Sequence, residues 1–301
     1  MYWQVFYMAG YVVVVGGLFL GFFHWKLGRR TTKHPLGVDV KVRRQPGEHL
    51  RQQMSKSLET IFFHFLVFLL LLPALTFVGA VYLVGYVPAL FPVLKLMVIL
   101  LAPVTALLLG MWRLHKSMRK FMNLKLGLFG ERVVADQLEG LKQQGYEVFH
   151  DVPCQGSSGR FNLDHVVVGR GVVVVIETKT RRKPKGDKEG HKVSYNGQVL
   201  SWPGGKTSTR ELEQAQRNVD WLRKELKKEE KVDAVVHPVL TFPGWFVNGS
   251  PPQAPVTVAA HKMLAVTIEK RFRPSLTEAE TDAVVRHLNR LCTDLVYVDV
   301  E

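Results

Sequence analysis

The chain has 301 residues, 47% of them apolar, with a formal net charge of +14 and a pI near 9.8. The charge is lopsided: residues 1–126 hold 15 Lys/Arg against 3 Asp/Glu, and the rest hold 25 against 23. The basic pI is thus a property of the N-terminal part, which excludes it as an argument for nucleic-acid binding further on. Two cysteines, Cys154 and Cys292, exclude a disulfide framework and suit a reducing compartment.

Residues 5–23 are apolar and uncharged, long enough to span a hydrocarbon core of about 30 Å. No basic segment precedes them, which favours a retained span over a cleaved signal. Gly10, Gly16, Gly17 and Gly21 either let another helix approach closely or fill a lipid-facing helix. A basic connector, Lys26 to Lys56, carries 9 Lys/Arg against Asp39 and Glu48. Residues 61–87 carry no charge, and 89–112 carry only Lys95, placed where its stem can snorkel. These read as a second and a third span, turned by Pro88 and Pro92, with His64 packing at the interface. Arg113, Lys116, Arg119, Lys120 and Lys125 follow.

Short basic loops stay cytoplasmic. With three spans this sets the N-terminus outside and the C-terminal part in the cytoplasm, integral to the inner cell membrane. A two-span hairpin, with residues 5–23 along the interface, leaves the C-terminal part on the same side. A channel or transporter is disfavoured, since the spans hold almost no ionisable residues. The expected division is a membrane region, 1–125, and a soluble α/β domain, 126–301, with a core at 126–242 and an extension at 256–301.

Within the soluble part, Leu126 to Gln144 reads as a helix, with Val133, Val134, Leu138 and Leu141 on one face and Gly145 as its cap. Glu131 falls in the first turn, where the helix dipole favours an anion whatever its role; a metal-associated role stands beside that. Tyr146 to Val152 is a strand, and Cys154 to Arg160 a Gly/Ser-rich loop. Val166–Val168 and Val172–Ile176 flank Gly169-Arg170-Gly171, the pattern of a β-hairpin.

With Arg170-Gly171 as a two-residue turn, Gly169 pairs with Val172 and Asp164 falls opposite Glu177. Alternation then places Glu177 and Lys179 on the face of Asp164 and turns Thr178 and His165 away, His165 as a structural residue. A three-residue turn would disperse the patch. Like charges side by side destabilise a sheet unless a cation lies between them. Two hard-oxygen ligands suit Mg2+ or Mn2+. Lys179 could then orient an attacking water or stabilise developing charge.

Lys179 to Lys192 holds 7 Lys/Arg against Asp187 and Glu189, either a solvated loop or a phosphate contact. Val193 to Val199 reads as a small hairpin on Asn196-Gly197, ending near Trp202. Arg210 to Lys228 is a helix striped with Leu212, Ala215, Val219, Leu222 and Leu226. Gln214 lies off that stripe. Val235 to Phe242 is a buried strand, and Val256 to Ile268 offers at least one more. Thr277 and Glu280 make a capping box for a last helix, and Leu295 to Val300 forms an edge strand.

An acid at one strand, then Glu177-Thr178-Lys179 ending the next, resembles the restriction-endonuclease-like nuclease superfamily. With Gly127-Leu128-Phe129-Gly130-Glu131 before it and Glu213-Gln214-Ala215 opening a later helix, the chain resembles the nuclease-related domain (NERD) family over roughly residues 125–240. That resemblance implies a mixed sheet flanked by helices and a membrane-anchored, divalent-metal-dependent phosphodiester hydrolase. Its metal would be held by Asp164 and Glu177, with Lys179 assisting and Glu131 and Gln214 supporting. On sequence alone, Gln214 is as readily a solvent-exposed side chain. The expected partners are nucleic acid, DNA ahead of RNA, and the lipid bilayer. The competing reading is an inactive nuclease-like module that binds nucleic acid or a protein at the membrane.

Overall fold

The computed structural model describes residues 10, 14, 17, 21, 41–86, 92–156, 159–184, 191–293 and 295–296. The chain divides into two compact units: residues 1–38, 53–123 and 298–301, and residues 39–52 and 124–297. The second unit thus takes in residues 39–52, which the charge pattern assigns to the connector.

Helix α1 (Glu48–His64) begins within the second unit and, from Gln53 on, belongs to the first, where it runs through a π-helical segment, Phe65–Leu71, into α2 (Leu72–Tyr86). The wide turn immediately precedes Pro73, which has no N–H to continue the α-helical ladder. Gly110 lets the next helix approach this segment: a Cβ there would lie 2.5 Å from the Phe68 carbonyl oxygen. Phe63, Leu70, Phe77, Leu100, Leu108 and Trp112 are exposed. Among the described residues one helical stretch, Glu48–Tyr82, is long and apolar enough to cross a membrane. The span expected at 5–23 lies outside the described residues except for four glycine or valine positions, and residues 87–91 lie outside them too.

α3 (Pro92–Lys142) corrects a boundary, since the helix expected to begin at Leu126 begins at Pro92. Between Gly110 and Gly127 the sequence has neither Gly nor Pro and is rich in Leu, Met, Arg and Lys, so nothing stops the helix. Glu131 is therefore far from the N-terminus, and the helix dipole does not explain it.

The second unit is built on a five-stranded mixed sheet of order β10-β8-β4-β3-β2. Its strands are β2 (Tyr146–Gly156), β3 (Gly159–Gly169), β4 (Val172–Thr178), β8 (Val236–Thr241) and β10 (Thr257–Ala259). β4 is central, antiparallel to β3 and parallel to β8. Both its faces are covered, which is why Val172–Ile176 is apolar throughout; each of these side chains stabilises the fold by roughly 1.5–3 kcal/mol. The turn is the two-residue one: Gly169 pairs with Val172, and Arg170 and Gly171 have φ of +50° and +74°. Those values match a type I′ turn, the twist a tight hairpin needs.

One sheet face packs on α4 (Arg210–Glu229) and α6 (Glu278–Cys292) through Val166, Val173, Val175, Val219, Leu222 and Leu288. The other packs on α3 and α5 (Leu264–Arg271) through Val134, Leu138, Val174, Ile176 and Ile268. The Thr277–Glu280 capping box opens α6 as expected. A second sheet, of order β7-β6-β5-β9, joins β5 (Lys192–Tyr195), β6 (Leu200–Trp202), β7 (Lys206–Ser208) and β9 (Phe246–Asn248) around Trp202, Phe242 and Trp245.

Two local expectations change, and the strand expected within residues 256–268 is present. The loop expected at Cys154–Arg160 is largely hairpin, with Gly156 paired to Gly159. The Asn196-Gly197 hairpin has a four-residue loop, Tyr195 pairing with Leu200, because the Asn196 side-chain Oδ1 accepts from the N–H groups of Gln198 and Val199. Residues 256–268 divide into β10 and the start of α5. Of the expected tail strand, β11 (Leu295–Val296) pairs with β1 (Lys41–Val42), and the remainder lies outside the described residues.

Candidate functional site

The hairpin register carries the site. One step beyond the terminal ladder pair, His165 with Ile176, Asp164 faces Glu177. Both point to the face covered by α4. Asp164, 8% exposed, accepts the backbone N–H of Thr178 on Oδ2 at 2.7 Å. Glu177, 1% exposed, is held at both oxygens. Its Oε1 meets Lys179 Nζ at 2.6 Å and Gln214 Nε2 at 2.8 Å, and its Oε2 accepts from Asn218 Nδ2 at 2.6 Å.

Glu131 arrives from α3 because Gly130 sits against the exit of β4, where any Cβ would collide with Cγ2 of Thr180. The structure therefore brings Asp164, Glu177, Lys179, Gln214 and Glu131 to one end of the sheet. Gln214 faces inward rather than solvent. His165 turns to the opposite face, where its Nδ1 lies 2.8 Å from His150 Nδ1 in a fully buried pair. Burial pushes the His150 imidazole down to about 4 and His165 well below its usual range, so the pair is neutral.

The electrostatics follow from crowding carboxylates out of water. Burial, then Glu177 and Glu131, raises Asp164 well above the carboxylate range. Burial also raises Glu177, against the opposing pull of Lys179. Glu131 is pushed up to about 7, by burial first, while the charge of His49 pulls the other way. Burial works against the charge on Lys179, but Glu177 and Asp164 outweigh it and raise its pKa.

Four participants escape a reading of the sequence. Asn218 is buried in the α4 stripe, four residues after Gln214 and so on the same helical face; that spacing is the signal for it. Asp151, Arg44 and His49 form a neighbouring cluster. Asp151 interrupts the β2–β3 ladder between the His150–His165 and Val152–Leu163 pairs, with φ of +49° and no exposure. Its Oδ2 accepts Arg44 Nη1 at 2.7 Å and the His49 N–H at 3.1 Å, and its Oδ1 pairs with His49 Nδ1. Among the described residues, His49, Glu131 and Asp151 are the group whose metal-ligating atoms lie together, all within 4.8 Å of one another. Nothing local in residues 41–49 announces this.

Comparison with known proteins bears on part of the chain. Residues 126–243 match the family model of the nuclease-related domain. No curated protein and no solved structure matches the chain.

Proposed function

From a chain that carries a nuclease-related domain at residues 126–243, we propose a divalent-metal-dependent nuclease that hydrolyses phosphodiester bonds, of DNA ahead of RNA, at a membrane. The observation that carries this reading is the buried convergence of Asp164, Glu177 and Lys179 at the end of the central strand. Asp164 and Glu177, both buried with raised pKa values, converge on a single ammonium, that of Lys179. That excess of hard oxygen donors fits Mg2+ or Mn2+ held by Asp164 and Glu177. Such an ion, when bound, supplies Lewis-acid stabilisation of the phosphodiester and a lowered pKa for bound water.

The chain's own residues do the rest. The Thr178 N–H fixes the Asp164 carboxylate, and Gln214 and Asn218 fix that of Glu177, so both ligands are oriented before substrate arrives. Lys179 stays protonated beside Glu177, positioned to donate to the attacking water or a non-bridging phosphate oxygen as charge develops. Attack of water forms one P–O bond as the bond to the leaving oxygen breaks; the attacking water gives up one proton to solvent, and the leaving oxygen takes one from solvent.

Support for the membrane comes from the apolar stretch within Glu48–Tyr82 and from the exposed apolar side chains of the first unit. Basic Arg113, Lys116, Arg119 and Lys120 favour a cytoplasmic side for the nuclease-related domain and an outward N-terminus. The test uses the full chain in detergent, since a truncation beginning near residue 119 would remove residues 39–52 from the second unit. Single- and double-stranded DNA and RNA are offered with Mg2+, Mn2+ or EDTA. Metal-dependent cleavage lost in Asp164→Ala and Lys179→Ala is expected. Cleavage unchanged in both would sink the assignment, and nucleic-acid binding without cleavage would favour the inactive module.

A further inference from the structure

We propose that His49, Glu131 and Asp151 form a second cation site, for a divalent first-row transition metal, beside the Asp164–Glu177 pair. It goes beyond the nuclease reading: the ligands differ, and His49 lies outside the matched residues 126–243.

Three elements far apart in sequence build the site: the first turn of α1, the C-terminal part of α3, and the interruption in β2. Their ligand atoms already lie within 4.8 Å of one another. An ion pair between His49 and Asp151 would account for those two residues. It does not account for Glu131, which is 4% exposed and keeps Oε2 without a hydrogen-bond partner. A buried carboxylate oxygen left unpaired beside a second carboxylate is strongly unfavourable, and a cation between them removes the penalty.

The surrounding residues hold the arrangement. Arg44 and the His49 N–H take Asp151 Oδ2 and leave Oδ1 turned toward the imidazole. That is the outer-shell support a ligating carboxylate needs. Gly47, at φ of +71°, brings the chain close over α3: a Cβ there would meet Leu128 Cδ1 and come within 3.5 Å of Glu131 Oε2. The donor set is one imidazole nitrogen and two carboxylates. All-oxygen sites suit Mg2+ or Ca2+, whereas imidazole brings the preference toward Mn2+, Fe2+ or Zn2+. The consequence is that residues 41–49, reached from the connector, complete a metal centre within the nuclease-related unit.

The test is Mn2+ binding to the full chain in detergent, stripped with EDTA and free of substrate, followed by pulsed electron paramagnetic resonance. The expected result is bound Mn2+ with a directly coordinated 14N. In His49→Ala that coupling should vanish and the affinity should fall at least about tenfold. In Asp164→Asn the nitrogen-coupled ion should remain. Saturated wild type without 14N coupling overturns the proposal whatever the variants do. So does coupling that survives His49→Ala, or coupling lost in Asp164→Asn. Because no substrate is present, the result stands or falls separately from nuclease activity.

Discussion

The Glu177 pocket and the Glu131 pocket adjoin, yet they solve the burial of a carboxylate in opposite ways. Glu177 has every oxygen met by a donor: Lys179, Gln214 and Asn218. Glu131 is nearly as buried and has an oxygen that nothing meets. Each oxygen of Glu177 has a protein donor, whereas one oxygen of Glu131 has none, and the proposed cation at His49, Glu131 and Asp151 would supply its partner. A buried charge is tolerated when paired and costly when not, and the two pockets show both cases within one domain.

The comparison can be broken in four places. Lys179→Ala bears on the chemistry of the first pocket and has the largest expected effect. Cleavage should fall about 10²–10³-fold, and the melting temperature should fall too, because Glu177 loses its buried partner. A fall in cleavage no larger than that of a distant surface lysine variant would remove Lys179 from the reaction.

Next is pH. In EDTA, ionising Glu131 opposes folding because its folded pKa, about 7, lies above the unfolded value of 4.5. The folded chain therefore holds the extra proton between those values, and its stability falls as pH rises from 4.5 through 7. The loss is on the order of 3 kcal/mol. Glu131→Gln should flatten that slope in urea titrations and raise stability at pH 8. An unchanged slope would mean that Glu131 is not the group responsible.

Glu177→Gln should do the reverse at pH 8. It replaces one of the two acceptor oxygens by an amide N–H, so the donor facing that side loses its acceptor, at a cost of about 2 kcal/mol. If both glutamine variants shift the urea midpoint in the same direction, the two pockets do not differ as described. Smallest is Gly47→Ala, which strains a left-handed residue by about 1 kcal/mol. It should weaken Mn2+ binding through His49 while leaving Lys179-dependent cleavage intact; equal loss of both would merge the pockets into one.

The same contrast explains what the sequence discloses. Asp164, Glu177 and Lys179 lie on one hairpin whose register follows from Arg170-Gly171, so local rules bring them together. Gln214 and Asn218 share an α4 face, though only the burial of the helix shows which face meets Glu177. Asp151 stands across from Asp164 only once the β2–β3 pairing is known, and its φ of +49° has no signature in His150-Asp151-Val152. His49 depends on packing between segments some eighty residues apart, which no periodicity encodes. The helix boundary at Leu126 was hidden for a simpler reason: α3 continues through it with no stop signal.

The most direct test of the central claim compares wild type with Glu177→Ala, both full-length, on labelled DNA and RNA across a Mg2+ and Mn2+ series. Cleavage that requires the metal and disappears in Glu177→Ala is the predicted result. A folded wild-type chain that cleaves none of the substrates, or a Glu177→Ala chain that cleaves as well as wild type, would contradict it.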